Sequence, residues 1–263
     1  MDTRIKETLY EFCFTPAIKW EKLANLAMKE NWKYLNTESD FDYPILVNYI
    51  VFTFKKLYNL YKKDSTQNWL VFNGNSICIN TGLLTKNYER IFMIIKEDQN
   101  KTPDQKPYIT KGFYPESSAE VCKFDVLPKK AKFFDKVEDL IFNTDLRLVA
   151  NFEHILENPE NKARIPEGIR NNPNLITILN GEIDRVKKRI DSNYKVAVPQ
   201  YYDNKLQFLL PLSLSDDPNK TDLVLAVDKI SNTCYKGYTC LTLDMAYNNA
   251  RQIAKPETNW LAR

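Results

Sequence analysis

The chain has 263 residues, of which 43% are hydrophobic and 27% are charged, so it is long enough to bury a core and is not a disordered sequence. Its formal net charge of +3 is too small to indicate a nucleic-acid partner unless the basic residues cluster. With only six glycines, it contains neither of the common glycine-rich phosphate-binding motifs. No apolar run approaches the roughly 18 residues of a membrane-spanning helix, so we expect no membrane partner.

The cysteines argue against a metal site. There are five, none is spaced as CxxC, and a single histidine accompanies them. Structural zinc sites need four ligands at regular spacing, so we expect free thiols, no metal and no cofactor. No secretory signal precedes the first predicted helix, which favours a reducing cytoplasmic location.

Two helices are predicted near the N-terminal end. The first begins at Thr15, which can cap a helix, and Pro16 fits its first turn. The second covers residues 42–63, and its wide apolar stripe predicts burial on more than one side. Together they predict a helical unit over residues 1–66, followed by an α+β core over residues 67–263, in one compact molecule.

The spacing of apolar residues changes after residue 66. Asn73-Gly74 is the strongest short hairpin signal available and predicts a strand on each side. Residues 90–98 ("RIFMIIKED") are mostly β-branched or aromatic, which favours a strand over a helix. Residues 99–136 are predicted to form loops with short strands at "YITKGFY" and near "KAKFF".

The next region is predicted to combine extended chain, a loop and a helix. Residues 142–156 are expected to be extended and then to pass into a loop or short helix. Three prolines punctuate residues 158–174, which predicts a loop. The clearest helix follows, with Asn172 as its cap and Pro173 in its first turn, because apolar residues then recur on one face up to Ile190.

Four strands and a closing helix are predicted at the C-terminal end. Residues 195–214 form two strands around a turn at Asp203-Asn204, and residues 222–230 and 234–244 form two more. The closing helix is expected to begin at Asp244, as its N-cap. Helices first, then a mostly antiparallel sheet with helices packed on it, predict the α+β fold class.

The closing helix concentrates amide side chains, although asparagine is a mediocre helix former. Its amide and guanidinium side chains lie away from its apolar face; they are Asn248, Asn249, Arg251 and Gln252. One interpretation is a solvated helix face. The other is a binding surface, because amides and a guanidinium donate hydrogen bonds to phosphates and base edges.

The strand before the Asp203-Asn204 turn holds a second candidate cluster. Gln200 is a candidate reader of base edges, and Tyr201 and Tyr202 are candidate platforms for base stacking. Neighbouring strand residues face opposite sides of a sheet, so at most one of Tyr201 and Tyr202 shares a face with the neighbours of Gln200. The alternative is a tyrosine packed in the core.

His154 is the only histidine, and Arg164 follows it in the same region. A histidine near a cation can act as acid or base on a phosphodiester without a metal. The alternative is a structural histidine. The sequence shows no constellation of metal ligands, which argues against a metal-dependent nuclease or phosphatase.

Two weaker signals complete the set. Residues 80–82 form a turn after a strand, and such a turn can present backbone donors to an anion, although an ordinary strand-ending turn is the alternative. Basic residues cluster at 129–132 and at 185–189. The second cluster is either a solvated helix face or a surface that follows phosphates.

Five stretches stand out together: "NTGL", "HILENPENKARIPE", "NYKVAVPQYY", "LQFLLPLSL" and "LTLDMAYNNARQIAKPETNWL". They resemble a bacterial family, domain-of-unknown-function family 3825, from about residue 20 to the C-terminus. That family occurs in architectures related to the OST-HTH (LOTUS) RNA-binding domain, so the resemblance implies a role in RNA metabolism. Cys78 departs from the pattern, because an aromatic or other apolar side chain is expected beside "NTGL".

The resemblance brings no established catalytic assignment. Carried over motif by motif, it points to Asn80, Gly82, His154, Arg164, Gln200, Tyr201, Asp244, Tyr247, Asn248, Asn249 and Arg251.

The leading hypothesis is an RNA- or nucleotide-binding protein whose partner is single-stranded RNA or a nucleotide. Its phosphate-binding site is predicted where the C-terminal helix, a central strand and the His154 loop converge. The predicted ligand-binding residues are Asn80, Gly82, Arg164, Gln200, Tyr201, Asn248, Asn249 and Arg251. One alternative is a metal-independent enzyme acting on RNA or a nucleotide, with His154 as acid or base. The other is a module that binds a protein partner.

Overall fold

The computed structural model describes residues 5–99, 102, 105–215, 217 and 220–255. The chain divides into two compact units. Unit 1 comprises Met1–Tyr34 and Glu38–Lys132, and unit 2 comprises Leu35–Thr37 and Phe133–Arg263. The boundary that the sequence predicted at residue 67 stays a prediction; α3 (Pro44–Lys63) packs on a strand of unit 1.

Unit 1 is a five-stranded sheet with helices. Its helices are α1 (Leu9–Phe12), α2 (Ala17–Leu26) and α3. Its strands are β1 (Cys13–Phe14), β2 (Val71–Asn73), β3 (Ser76–Leu84), β4 (Arg90–Glu97) and β5 (Tyr108–Pro115), in the order β1-β5-β4-β3-β2. Only the β1–β5 pair is parallel. A loop segment over residues 121–127 packs on the sheet through Val121 and Phe124, where Cys78 is fully buried as an apolar group.

Unit 2 is also a five-stranded sheet with helices. Its helices are α4 (Phe152–Glu157), α5 (Pro159–Arg164), α6 (Glu167–Arg170), α7 (Leu175–Ser192) and α8 (Leu243–Ala250). Its strands are β6 (Arg147–Ala150), β7 (Val198–Tyr202), β8 (Lys205–Leu212), β9 (Leu223–Ser231) and β10 (Cys234–Leu241), in the order β6-β10-β9-β8-β7. Only the β6–β10 pair is parallel.

The two faces of the unit 2 sheet are covered differently. The core cluster contains alternate residues of the central strands, such as Phe208, Leu210 and Leu225, together with the apolar stripe of α7. The residues between them, such as Leu209, face the other side because strand side chains alternate. α8 contacts β7, β9 and β10, and its apolar residues lie outside that core cluster, so it covers part of the second face.

The α+β class is confirmed, although the strands form two mixed sheets instead of one mostly antiparallel sheet. The predictions for α3, the β2–β3 hairpin and β4 are confirmed. The Asp203-Asn204 turn is confirmed as well, and both residues have positive φ angles, 47° and 60°, as a two-residue hairpin turn requires.

Several local predictions are wrong. The N-cap of α7 is Asn174 and not Asn172. No strand forms at residues 130–134. Residues 158–174 contain two short helices instead of a loop, because Asn158 caps α5 and the proline after it fits the first turn. Thr15 does not cap α2, since its hydroxyl lies 2.6 Å from that of Thr110.

Candidate functional site

Asn80 and Gly82 lie in unit 1, inside β3 at an irregularity of its pairing with β4. The Gly82 N–H donates to Asn80 Oδ1 at 2.9 Å, and Asn80 Nδ2 donates to the carbonyl of Pro128 at 3.2 Å. Thr81 donates its hydroxyl to the carbonyl of Ile91 at 2.6 Å. These polar groups are therefore engaged inside unit 1, and the ligand role predicted for Asn80 and Gly82 stays a prediction.

Arg164 lies in unit 2 and joins α5 to β10. Its Nη1 donates to Asn161 Oδ1 at 2.8 Å, to the carbonyl of Cys240 at 2.9 Å and to the hydroxyl of Thr239 at 3.3 Å. Three acceptors already surround this nitrogen, so a phosphate would have to compete with them. The geometry gives Arg164 a structural role in tying α5 to the sheet.

His154 is exposed in the last turn of α4. Asn161 links it to Arg164, because Asn161 Nδ2 donates to the His154 carbonyl at 3.4 Å while its Oδ1 accepts from the guanidinium. Among the described residues the imidazole has no hydrogen-bond or ion-pair partner that would orient it. A general acid or base is usually held in place by such a partner, so nothing here prepares His154 for catalysis.

Gln200 and Tyr201 sit on β7, which is an edge strand and not the central strand that the sequence predicted. Tyr201 is buried against Phe133, with the ring centroids 5.1 Å apart. Gln200 points to the opposite face and is 1% exposed. Tyr201 therefore packs as a core side chain instead of offering its ring for stacking.

The closing helix begins at Leu243, shortly after the end of β10. Thr242 is the N-cap, since its hydroxyl accepts the N–H of Met245 at 3.3 Å, so the prediction of Asp244 as N-cap is wrong. The 2%-exposed carboxylate of Asp244 instead accepts the N–H groups of Leu35 at 2.9 Å and Asn36 at 2.8 Å.

The polar side chains of α8 are not a solvated face. Asn248, Asn249 and Arg251 are half-buried, and Gln252 is 4% exposed. Asn248 Oδ1 is fully buried without a hydrogen-bond partner among the described residues. Arg251 is the C-cap of the helix, and its N–H donates to the carbonyl of Tyr247 at 2.9 Å.

The structure brings together some of the predicted residues and separates others. α8 packs against β7, so the closing helix and the Gln200 strand are neighbours, as predicted. The His154 region contacts β10, which two strands separate from β7. Three strand spacings amount to about 14 Å, so His154 and Gln200 lie at opposite sides of the sheet.

Charged groups of the basic cluster on α7 already have partners within the protein. Arg185 pairs with Glu182 at 3.0 Å, and the Lys187 ammonium donates to the carbonyl of Leu146 at 3.4 Å. Lys188 is exposed. This helix face therefore resembles an ordinary solvated surface more than a track for phosphates.

The part of the second face that α8 leaves open holds a group of side chains of which the sequence singled out only Tyr202. They are Val149, Tyr202, Lys205, Gln207, Asp228, Ile230, Lys236 and Tyr238, which we call the open face. Tyr202 is 52% exposed, and the ammonium of Lys236 lies 4.9 Å from the centroid of the Tyr238 ring. Alternation along β7 was the available signal, because residues two apart share a face and Tyr202 follows Gln200.

A polar row crosses this face from β7 to β9. Gln200 Nε2 donates to Gln207 Oε1 at 2.5 Å, and Gln207 hydrogen-bonds to the carboxylate of Asp228. An ionised carboxylate only accepts, so Asp228 fixes the direction of both amides. Gln200 Oε1 and Asp228 Oδ1 remain buried without partners among the described residues.

Burial raises the pKa of Asp228, although the hydrogen bond from Gln207 and the charge of Lys205 oppose the shift in part. The folded protein then binds this proton more tightly than the unfolded chain, whose aspartates titrate near pH ~4. The contribution of Asp228 to stability is therefore most favourable at low pH and is lost as the pH rises through its folded pKa.

We expect Asp228→Asn to be more stable than the wild type at neutral pH, by about 1 kcal/mol, because an uncharged group replaces a desolvated carboxylate. The advantage should shrink as the pH falls towards ~4, where the wild-type carboxyl is protonated. Urea unfolding between these pH values measures it. An equal or lower stability of the variant at neutral pH would show that burial of the Asp228 carboxylate does not destabilise the folded protein.

Three of the five thiols are poor nucleophiles. Burial raises the pKa of Cys240 to about 12, with the nearby Arg164 charge opposing the shift in part. Burial also raises the pKa of Cys78 to about 12 and that of Cys13 to about 11. Because the thiolate is the reactive form, these three side chains are inert at neutral pH.

Metal ligands do not cluster in the described ranges, where no group of three or more His, Cys, Asp or Glu side chains is arranged to hold a metal ion. No described helix combines the length and the apolar character needed to span a bilayer.

Comparison with known proteins gives one match. No curated protein and no solved structure matches the chain. The family model described as Domain of unknown function (DUF3825) matches residues 23–260. That range includes α3, strands β2 to β10 and α8, so it covers most of unit 1 and the described part of unit 2. The chain therefore belongs to the DUF3825 family.

Proposed function

We propose that this protein binds single-stranded RNA, or a nucleotide with the same chemistry, on the open face of the unit 2 sheet. The observation that carries the proposal is the pair of tyrosines, Tyr202 on β7 and Tyr238 on β10, at the two ends of a sheet face that also carries Lys205 and Lys236. Sheet surfaces with aromatic rings that stack bases are a recurring mode of single-strand recognition.

The chemistry of the face fits such a ligand. Bases stack on aromatic rings, and phosphates between them are attracted to lysine ammonium groups. The strands that carry the two tyrosines are three strand spacings, about 14 Å, apart, so the rings are separated by at least that distance, which leaves room for more than one base. Gln207 and Asp228 lie between the two tyrosines and form the polar middle of this face.

The resemblance supports the same proposal, because it implies the company of OST-HTH (LOTUS) RNA-binding domains. We place the activity in a bacterial cytoplasm on the same ground. The proposal moves the stacking role from Tyr201 to Tyr202, and the phosphate role from Arg164 to Lys205 and Lys236.

Replacing Tyr202 or Tyr238 with alanine is expected to weaken binding of labelled single-stranded RNA by about tenfold each, because each ring contributes roughly 1–3 kcal/mol per stacked base. Tyr202→Phe should retain most of the affinity. In a plot of the logarithm of the affinity against the logarithm of the salt concentration, removing Lys205 or Lys236 should make the slope shallower by about one unit each. Fluorescence anisotropy at two salt concentrations measures both effects.

The matched control is Tyr194→Ala, which removes a tyrosine of unit 2 that is 58% exposed but lies away from the open face. Its affinity for RNA should equal that of the wild type. If all three tyrosine variants bind alike, or if the wild type does not bind, the open face is not an RNA site.

A further inference from the structure

A second site lies in unit 2, in a cleft between the start of β7 and the end of α8. Its volume is about 200 Å³. Aliphatic side chains form most of its wall, among them Val198, Pro199 and Ile253, and alanines such as Ala250 leave the space open. None of the residues of the open face lines this cleft, so it is independent of the proposed RNA site.

Two lysines, Lys195 and Lys255, line the same cleft, and none of the described residues that line it is acidic. Both lysines are exposed, and within the described part of the chain neither ammonium has a hydrogen-bond or ion-pair partner. The C-terminal end of α8 contributes a partial charge of about −0.5 nearby. Two full positive charges outweigh it, so the cleft attracts an anion.

The size and lining restrict the ligand further. A cavity of about 150 Å³ holds one benzene molecule, whereas drug-sized ligands occupy about 300–1,000 Å³. The cleft therefore accommodates one short apolar group. Apart from Tyr194 its apolar walls are aliphatic, which suits a flexible chain, and the lysines suit a charged end that stays in water.

We propose that this cleft binds a small aliphatic carboxylate of medium chain length. The chain lies against Val198, Pro199 and Ile253, and the carboxylate lies between the ammonium groups of Lys195 and Lys255. The apolar group supplies the affinity, since burial of its methylenes is favourable, and the lysines select the sign of the charge.

The test is a titration of the full chain with sodium octanoate, followed by ¹H–¹⁵N correlation spectra. Octylamine is the matched ligand, because it has the same chain and the opposite charge. Octanoate is expected to shift the amide signals of residues 194–198 and 250–255 and to bind at least about tenfold more tightly than octylamine. Equal binding of the two ligands, shifts confined to other regions, or no shifts would overturn the proposal.

Two variants locate the site. The double variant Lys195→Glu with Lys255→Glu should bind octanoate at least about tenfold more weakly than the wild type and should bind octylamine more tightly. Ala254→Leu adds a side chain at the exposed lip of the cleft and should weaken both ligands. Lys188→Glu, on α7, is the charge control and should leave both affinities unchanged. Unchanged octanoate affinity in the first two variants would contradict the site, whatever the outcome of the RNA measurements.

Discussion

Replacing Gly82 with alanine is expected to lower the free energy of unfolding by about 3 kcal/mol or more. Gly82 has a φ angle of +76°, a conformation that costs about 1–2 kcal/mol for a residue with a side chain. A Cβ at this position would also lie 2.6 Å from Tyr49 Oη and 3.3 Å from Lys130 Cε. The tyrosine belongs to α3, so the added methyl would push against the packing of α3 on β3. Urea unfolding of the purified variant measures the loss.

Gly74→Ala is the matched control. Gly74 also has a positive φ angle, +55°, but no atom lies within 4 Å of the position that an added methyl would take. It should therefore cost only about 1 kcal/mol, from the backbone alone. A cycle with Tyr49→Phe isolates the overlap, because removing the hydroxyl should restore part of the stability that Gly82→Ala loses. If Gly82→Ala lowers the free energy of unfolding no more than Gly74→Ala does, the Tyr49 side chain can move away from the added methyl at little cost.

Replacing Asp244 with alanine is expected to cost about 3 kcal/mol, because a buried carboxylate that accepts several charge-assisted hydrogen bonds is lost. The N–H groups of Leu35 and Asn36 and the hydroxyl of Thr37, which donates at 3.2 Å, would lose their acceptor. Residues 35–37 belong to unit 2, so this contact fixes a segment that is remote in sequence. Chemical denaturation gives the total loss, and hydrogen exchange at the amides of residues 35 and 36 reports the contact itself.

Asp244→Asn keeps the shape of the side chain and removes part of its hydrogen bonding, so it separates these two contributions to stability. The amide retains one acceptor oxygen, so this variant should lose roughly half as much stability as alanine. Thr242→Ala removes only the helix cap and should cost about 1 kcal/mol, without faster exchange at residues 35 and 36. Normal exchange protection of those two amides in Asp244→Ala would contradict the role assigned to the carboxylate.

Polar residues were harder to interpret than apolar ones because a side chain's partner can come from anywhere in the chain. The guanidinium of Arg164 is a group that binds phosphate well, yet its Nη1 is surrounded by Asn161, Thr239 and Cys240. Thr239 and Cys240 lie 75 and 76 residues away in sequence. Nothing local to Arg164 indicates them. Asp244 is similar, since its donors lie more than 200 residues earlier.

The sequence by itself determined the elements whose signals are local. The long apolar stripe and Pro44 predicted α3, the Asn73-Gly74 pair predicted the β2–β3 hairpin, and Asp203-Asn204 predicted the turn between β7 and β8. Strand alternation also contained the information that Gln200 and Tyr202 share a face.

Only the tertiary structure decided which strands are neighbours. Pairing brings together residues far apart in sequence, and the periodicity of a strand is the same whether it lies at the edge or in the centre of a sheet. The strand order put Gln200 on an edge strand and His154 at the far side, and it assembled the open face from β6, β7, β8, β9 and β10. The residues that support the proposed RNA site were thus ordinary in sequence and became a candidate surface only because four strands aligned them.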